Sequence, residues 1–161
     1  MRASDRSSLN ARRFWFETHG ETHTCPCCGV PSLRERAVGT LCVVCWWHDE
    51  GFDDESDDQY SMNNQLMTLD EARTRVHEQF RPIRETKTTF PLDARAREER
   101  ARQALLATCD ALVHGESPNW MALDQALFAV PGQNGRVLKR FVDWLRDAYD
   151  PAVVRAERAH A

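Results

Sequence analysis

The chain has 161 residues, 42% apolar and 29% charged, with a net charge of −4. That suits one ordinary domain, or a small metal module with a helical partner, and does not suit a membrane protein. No apolar run approaches the roughly 20 residues of a membrane span, and Met1-Arg2-Ala3-Ser4-Asp5 leads into polar residues rather than a secretory core, so a cytoplasmic location is expected.

In chain order, residues 1–12 read as a mobile stretch within an N-terminal arm, 1–18. Phe14-Trp15-Phe16 reads as a short element packed on the core, or as an exposed docking strip. Thr18 to Thr24 is a polar loop. Cys25-Pro26-Cys27-Cys28-Gly29 and Cys42-Val43-Val44-Cys45 follow, two Cys-x-x-Cys pairs separated by 13 residues. This spacing suits four thiolates on one zinc ion, two from each turn. Four thiolates fill a tetrahedron and leave no position for a reacting water, so the metal reads as structural. Cys25, Cys28, Cys42 and Cys45 are the candidate ligands, with Cys27 and His48 as substitutes; His19 and His23 read as solvated. Paired disulfides or redox thiols are the competing readings of the same residues.

Ser32–Ala37 and Thr40–Trp47 read as two strands joined at Gly39, giving the order knuckle, hairpin, knuckle. Asp49–Asp58 then holds seven carboxylates without a Lys or Arg between Arg36 and Arg73. It lacks the EF-hand pattern of acids at alternate positions and a twelfth-position Glu, and it reads as a solvated loop. It also argues against this module gripping phosphates. Thr68 and Glu71 form a capping box that opens a helix over 69–80, stopped by Pro82. Residues 83–92 read as a linker ending at Pro91. Asp93 opens a helix to about His114, with Ala94, Ala101, Leu105, Cys109 and Leu112 as its apolar stripe and Glu98 paired to Arg102. Ser117-Pro118 starts a helix over 119–129. Residues 131–135 read as a turn. A last helix over 136–149 has Val137, Phe141, Trp144, Leu145 and Ala148 as its buried face, and 151–161 is a polar tail.

From Thr24 to Phe80 the chain resembles the bacterial cysteine-rich CPCC family. The likeness is carried by Cys25-Pro26-Cys27-Cys28-Gly29, Cys42-x-x-Cys45 with Trp47, Asp49-Glu50-Gly51 with Asp53-Asp54, an Asn at 63 or 64, and Leu69-Asp70-Glu71-Ala72-Arg73. The chain departs from the family pattern at Val43-Val44, where a Pro is usual, and at Ser61-Met62-Asn63-Asn64, where Gly-Pro-Asn is usual. The resemblance implies a zinc-ribbon-like module over about 24–80. Through an association with toxin–immunity loci, it also suggests an immunity protein.

The expected fold class is α+β: a small zinc-ribbon-like hairpin module with its bridging helix over 19–81, followed by a helical extension over 90–150. No nucleophile elbow, protease cysteine or phosphate-cradling glycine loop occurs, and no enzyme is expected. The expected function is binding of a basic protein partner through Asp49, Glu50, Asp53, Asp54, Trp47 and Phe52, which combine charge steering with aromatic anchors. The rival readings are nucleic-acid association through the Arg-rich helices over 73–102 and a thiol redox protein.

Overall fold

A computed structural model describes residues 1–84, 92–153 and 159. Most of the expected linker, with Pro91, and most of the polar tail lie outside the described residues. The chain divides into two units, Met1–Pro91 and Leu92–Ala161. The α+β class holds: a two-stranded hairpin carrying cysteines is followed by a mostly helical region. Among the described residues, no helix is long and apolar enough to cross a membrane.

The N-terminal residues are helical rather than mobile. Helix α1 runs Ala3–His19 and buries Leu9, Arg12 and Phe16, which recur at helical spacing on one face. The same periodicity separates the aromatic triplet: Phe16 is buried, Trp15 half-buried and stacked on His19, and Phe14 exposed.

The cysteine turns sit at the tips of two small hairpins, not at the two ends of one. His23 bridges Leu33 around the first turn. Strand β1 (Thr40–Leu41) pairs antiparallel with β2 (His48–Asp49) around the second. Each Cys-x-x-Cys turn folds the chain back, with Gly29 N–H donating to Cys25 O and Trp46 N–H to Cys42 O. Pairing therefore falls on the residues flanking each turn. Ser32–Ala37 forms no strand.

A 3-10 turn, Asp54–Ser56, is capped by Asp53. A loop closed by a Tyr60–Thr68 bridge leads to α2, Leu69–Gln79. Both halves of the Thr68–Glu71 capping box form. Within the loop, Asn64 is buried: its side-chain oxygen accepts from His48 N–H at 2.8 Å, and its NH2 donates to His48 O at 2.9 Å and to Ser61 Oγ at 2.8 Å. One amide thus stands in for a strand beside β2. Gln65 and Leu66 follow with φ of 57° and 58°, a left-handed conformation that costs a residue other than glycine about 1–2 kcal/mol.

In the second unit, α3 (Leu92–Val113), α4 (Trp120–Phe128) and α5 (Gly132–Tyr149) pack on one another. The expected α3 stripe is buried, and Arg102 pairs with Glu98 at 3.0 Å. Asn119, not Ser117, caps α4, its side chain accepting from Ala122 N–H. The stretch expected as a turn over 131–135 is the first turn of α5. Gly135 approaches the Val130 carbonyl so closely that a Cβ would lie 2.3 Å from it. The buried stripe continues from there through Leu138, Val142, Leu145 and Tyr149, while Val137 is half-buried and Trp144 and Ala148 are exposed. Phe141 and Leu145 alone are kept from the expected face. Gly135→Ala is therefore expected to destabilise the second unit by about 1–3 kcal/mol, the range for overpacking, as read by chemical denaturation followed through tryptophan emission.

Candidate metal centre

Cys25, Cys28, Cys42 and Cys45 place their sulfurs within 4.8 Å of one another, all buried. The Cys25–Cys45 and Cys28–Cys42 separations are 3.7 Å. A tetrahedron with metal–sulfur bonds of about 2.3 Å has edges of about 3.8 Å, so the four positions fit one ion. They are far beyond the disulfide length of about 2.05 Å, and all six cysteines are free. Neither Cys27 nor His48 belongs to the cluster. Cys27 is buried within the first turn, its thiol hydrogen-bonding to Cys45, and His48 sits on β2 with Nδ1 3.3 Å from Gly39 O. His19 and His23 are exposed. Cys109 is a buried residue of α3.

The charge state of the cluster follows from its burial. Burial pushes the Cys25, Cys28 and Cys45 thiols up. It acts the same way on Cys42, but hydrogen bonds from the other three sulfurs and from Ser32 outweigh it and hold Cys42 well below its usual range. A divalent ion held by these four residues would supply the charge that stabilises the remaining thiolates in place of their protons. The Ser32 hydroxyl lies 2.9 Å from Cys42 Sγ, where it donates to the thiolate. Ser32→Ala is expected to weaken metal binding 10- to 100-fold, the usual cost of losing a ligand's hydrogen-bond partner, as measured by competition with a chromophoric chelator.

Three side chains hold the first turn from behind, one on each successive carbonyl. Arg73 Nε donates to Pro26 O at 2.9 Å, His77 Nε2 to Cys27 O at 3.0 Å, and Arg12 Nε to Cys28 O at 3.2 Å. All three residues are buried. Gly29 then turns at φ +76°, and a Cβ there would lie 2.9 Å from Leu9 Cδ1 and 3.2 Å from Leu9 O. The conformation and the close approach of α1 both require glycine.

The tautomer of His77 follows from its partners. Arg12 Nη2, 3.2 Å from His77 Nδ1, can only donate, so Nδ1 accepts and Nε2 carries the proton. Burial, with the nearby Arg12 charge second, lowers the His77 pKa to about 4. The unfolded residue titrates near 6.5, so between these values only the unfolded chain gains the proton. His77 therefore contributes its full stability above about pH 6.5 and loses it as pH falls toward 4. The expected loss is about 3 kcal/mol. At fixed metal loading, urea midpoints should fall more steeply across this window in the wild type than in His77→Gln, whose amide offers the same acceptor and donor without titrating.

The acidic segment is only partly a solvated loop: Glu55 and Asp58 are exposed, whereas its other Asp residues face arginines of the same unit. Arg6 and Arg13 of α1, Arg36 of the inter-hairpin segment and Arg73 of α2 converge on it. Arg13 reaches Asp53 at 2.7 Å and Asp54 at 3.4 Å. Arg73 reaches Asp54 at 2.7 Å and Asp57 at 3.5 Å. Arg6 reaches Asp57 at 3.1 Å and Asp70 at 3.2 Å. Asp49 is fully buried and accepts from Arg36 Nε at 2.7 Å and Ala37 N–H at 2.8 Å. Burial would raise the Asp53 pKa, but its hydrogen bond and ion pair with Arg13 hold it below the usual carboxylate range.

Of the six residues expected to touch a partner, Trp47 and Asp49 thus offer no surface. Trp47 points inward beside the second cysteine turn, where its carbonyl accepts from Cys42 N–H, while the adjacent Trp46 is half-buried at φ 64°. Asp53 and Asp54 face arginines of the same chain. Glu50 accepts hydrogen bonds from Ser61 Oγ and Asn63 Nδ2. Phe52 is half-buried. The arginine clasp and the carbonyl-holding trio were missed. The available signal was Leu9, Arg12 and Phe16 at helical spacing, with an arginine on the apolar face.

Residues 23–90 match the family model described as Cysteine-rich CPCC. Helix α1 precedes the match and the second unit follows it. No curated protein and no solved structure gives a significant match to the chain.

Proposed function

We propose that this chain is a non-catalytic zinc protein that works in the cytoplasm by binding a basic protein, in the manner of an immunity protein blocking a toxin's cleft. The observation that carries the reading is the closure of the metal centre. Four buried sulfurs supply every tetrahedral position, so the ion would be scaffold and would hold no reacting water. Zinc is preferred among metals because it is tetrahedral and redox-inert in an all-thiolate site; iron is the other metal suited to this donor set. Charge supports a basic partner: the first unit carries 15 acidic residues against 11 Lys or Arg, whereas the second carries 10 of each.

The nucleic-acid reading through the Arg-rich helices is weaker. Arg73 and Arg102 are buried, and Arg95, Arg97 and Arg102 pair with acids one turn away. The redox reading is weakened by the burial of every cysteine, since thiol exchange needs access.

The purified reduced protein should contain one zinc per chain by elemental analysis and lack the visible thiolate-to-iron absorption. Immobilised in its metal-loaded form, it should retain a basic protein that elutes with rising salt. Stoichiometric iron would overturn the metal assignment. Retention of DNA or RNA instead of protein would overturn the partner assignment.

A further inference from the structure

The loop at residues 60–66 is built with more definition than its connecting role requires. Its interior is fixed: Ser61 N–H donates to Met67 O and Leu66 N–H to Ser61 O, both at 3.0 Å, and buried Asn64 ties the loop to β2. Its exterior carries three large apolar side chains among the polar Asn63 and Gln65, which are exposed too. Tyr60 is 69% exposed, Met62 78% and Leu66 58%. Leu66 is a large apolar residue that is both left-handed and solvent-facing: the turn closes the loop, but burial of the side chain does not stabilise it. Strained, rigidly anchored backbone of this kind is found at ligand clamps. Clustered exposed apolar side chains mark interaction surfaces.

We infer that the Tyr60–Leu66 loop is the element that inserts into the partner, a protein with an apolar pocket rimmed by Lys or Arg. This rests on the interaction reading above and gives it a contact surface. The charge beside the loop selects the occupant. Glu55 and Asp58 are exposed, lie just before Tyr60 in the chain, and have no ion-pair partner among the described residues; with Glu50, which accepts from Ser61 and Asn63, they outnumber Arg84, whose guanidinium donates to Asn63 O at 2.6 Å. An acidic rim repels nucleic acid and anionic lipid surfaces. It also disfavours a second copy of this chain, because a two-fold contact through the loop would set acidic rims against each other. A basic rim around an apolar pocket satisfies both features, with steering from the charges and affinity from the buried side chains.

The test is photo-crosslinking in cells producing the full chain, with p-benzoylphenylalanine replacing Met62 and, as controls in the same unit, Phe14 or Val38, which are also exposed. The expected result is one discrete adduct from position 62, to a basic protein, absent at both controls and lost when Glu55→Lys and Asp58→Lys are added. With that protein purified, Met62→Asp combined with Leu66→Asp should weaken binding at least about 100-fold while metal content and melting temperature stay unchanged. An adduct from a control position but not from 62 would overturn the loop assignment and leave the interaction reading standing. No adduct from any position would overturn both. An adduct from 62 to a second copy, to lipid or to nucleic acid would overturn the choice of partner, as would unchanged affinity in the double variant.

Discussion

Stripping metal from the reduced protein with a strong chelator is expected to unfold the first unit and leave the second folded. Short segments such as the two cysteine hairpins bury too little apolar surface to fold alone. Structural zinc contributes apparent binding free energy of about 10–16 kcal/mol in small sites of this kind, as large as the whole stability margin of an ordinary domain, about 5–15 kcal/mol. The second hairpin has only two residues in each strand and the first a single bridge, so ladder hydrogen bonds cannot replace the ion. Circular dichroism should retain the signal of α3, α4 and α5 and lose that of α1 and α2, whose buried side chains rest on the first cysteine turn. Hydrogen exchange should lose protection across 3–79 and keep it across 92–149. Cys45→Ser should reproduce the pattern, with a loss of metal affinity greater than the loss from Ser32→Ala. Full retention of exchange protection in the metal-free reduced protein would show that the ion does not organise this unit. Acid should act in the same direction as chelator, because protons compete with metal for the thiolates.

Arg73→Ala is expected to cost about 3–5 kcal/mol, the range for removing one partner of a buried ionic contact. Arg73 is fully buried and joins two structures distant in sequence: Pro26 O in the first cysteine turn, and Asp54 with Asp57 in the acidic segment. Its removal leaves a buried carbonyl without a donor, two carboxylates without their inner partner, and a cavity. Arg73→Lys should recover only part of this, since an ammonium cannot span the fork that a guanidinium spans. Asp54→Asn should cost only about 1 kcal/mol, because Asp54 is half exposed and its pairs are partly solvated. A stability change below 1 kcal/mol for Arg73→Ala, measured by denaturant unfolding of the metal-loaded protein, would remove this residue from the framework. The same clasp affects how the interface can be tested. Charge reversal at Asp53 or Asp54 would disturb folding as well as binding, whereas Glu55 and Asp58 report on binding alone.

The features legible in the sequence were those written in local spacing. The Cys-x-x-Cys pairs, the Thr68–Glu71 cap and the α3 stripe each lie within a few residues and follow a fixed period. The parts that were not legible depend on distant partners or on residues used against type. Arg13 meets Asp53 across 40 positions, so the acidic run looked unopposed. Arg12 occupies an inward position on α1, which made an amphipathic helix read as a polar arm. The start of α5 was concealed by Gly132 and Gly135, residues that ordinarily break helices. β1 and β2 are too short to show alternation.

The three carbonyls gripped from behind have one further consequence. Arg12, which takes the last of them, and Leu9, which closes over Gly29, both belong to a helix that ends before the family segment begins at residue 23. The stretch that matches the family model is thus narrower than the body that must fold together. Trimming this chain to that stretch would leave the cysteine knuckle open on the side where α1 now seals it.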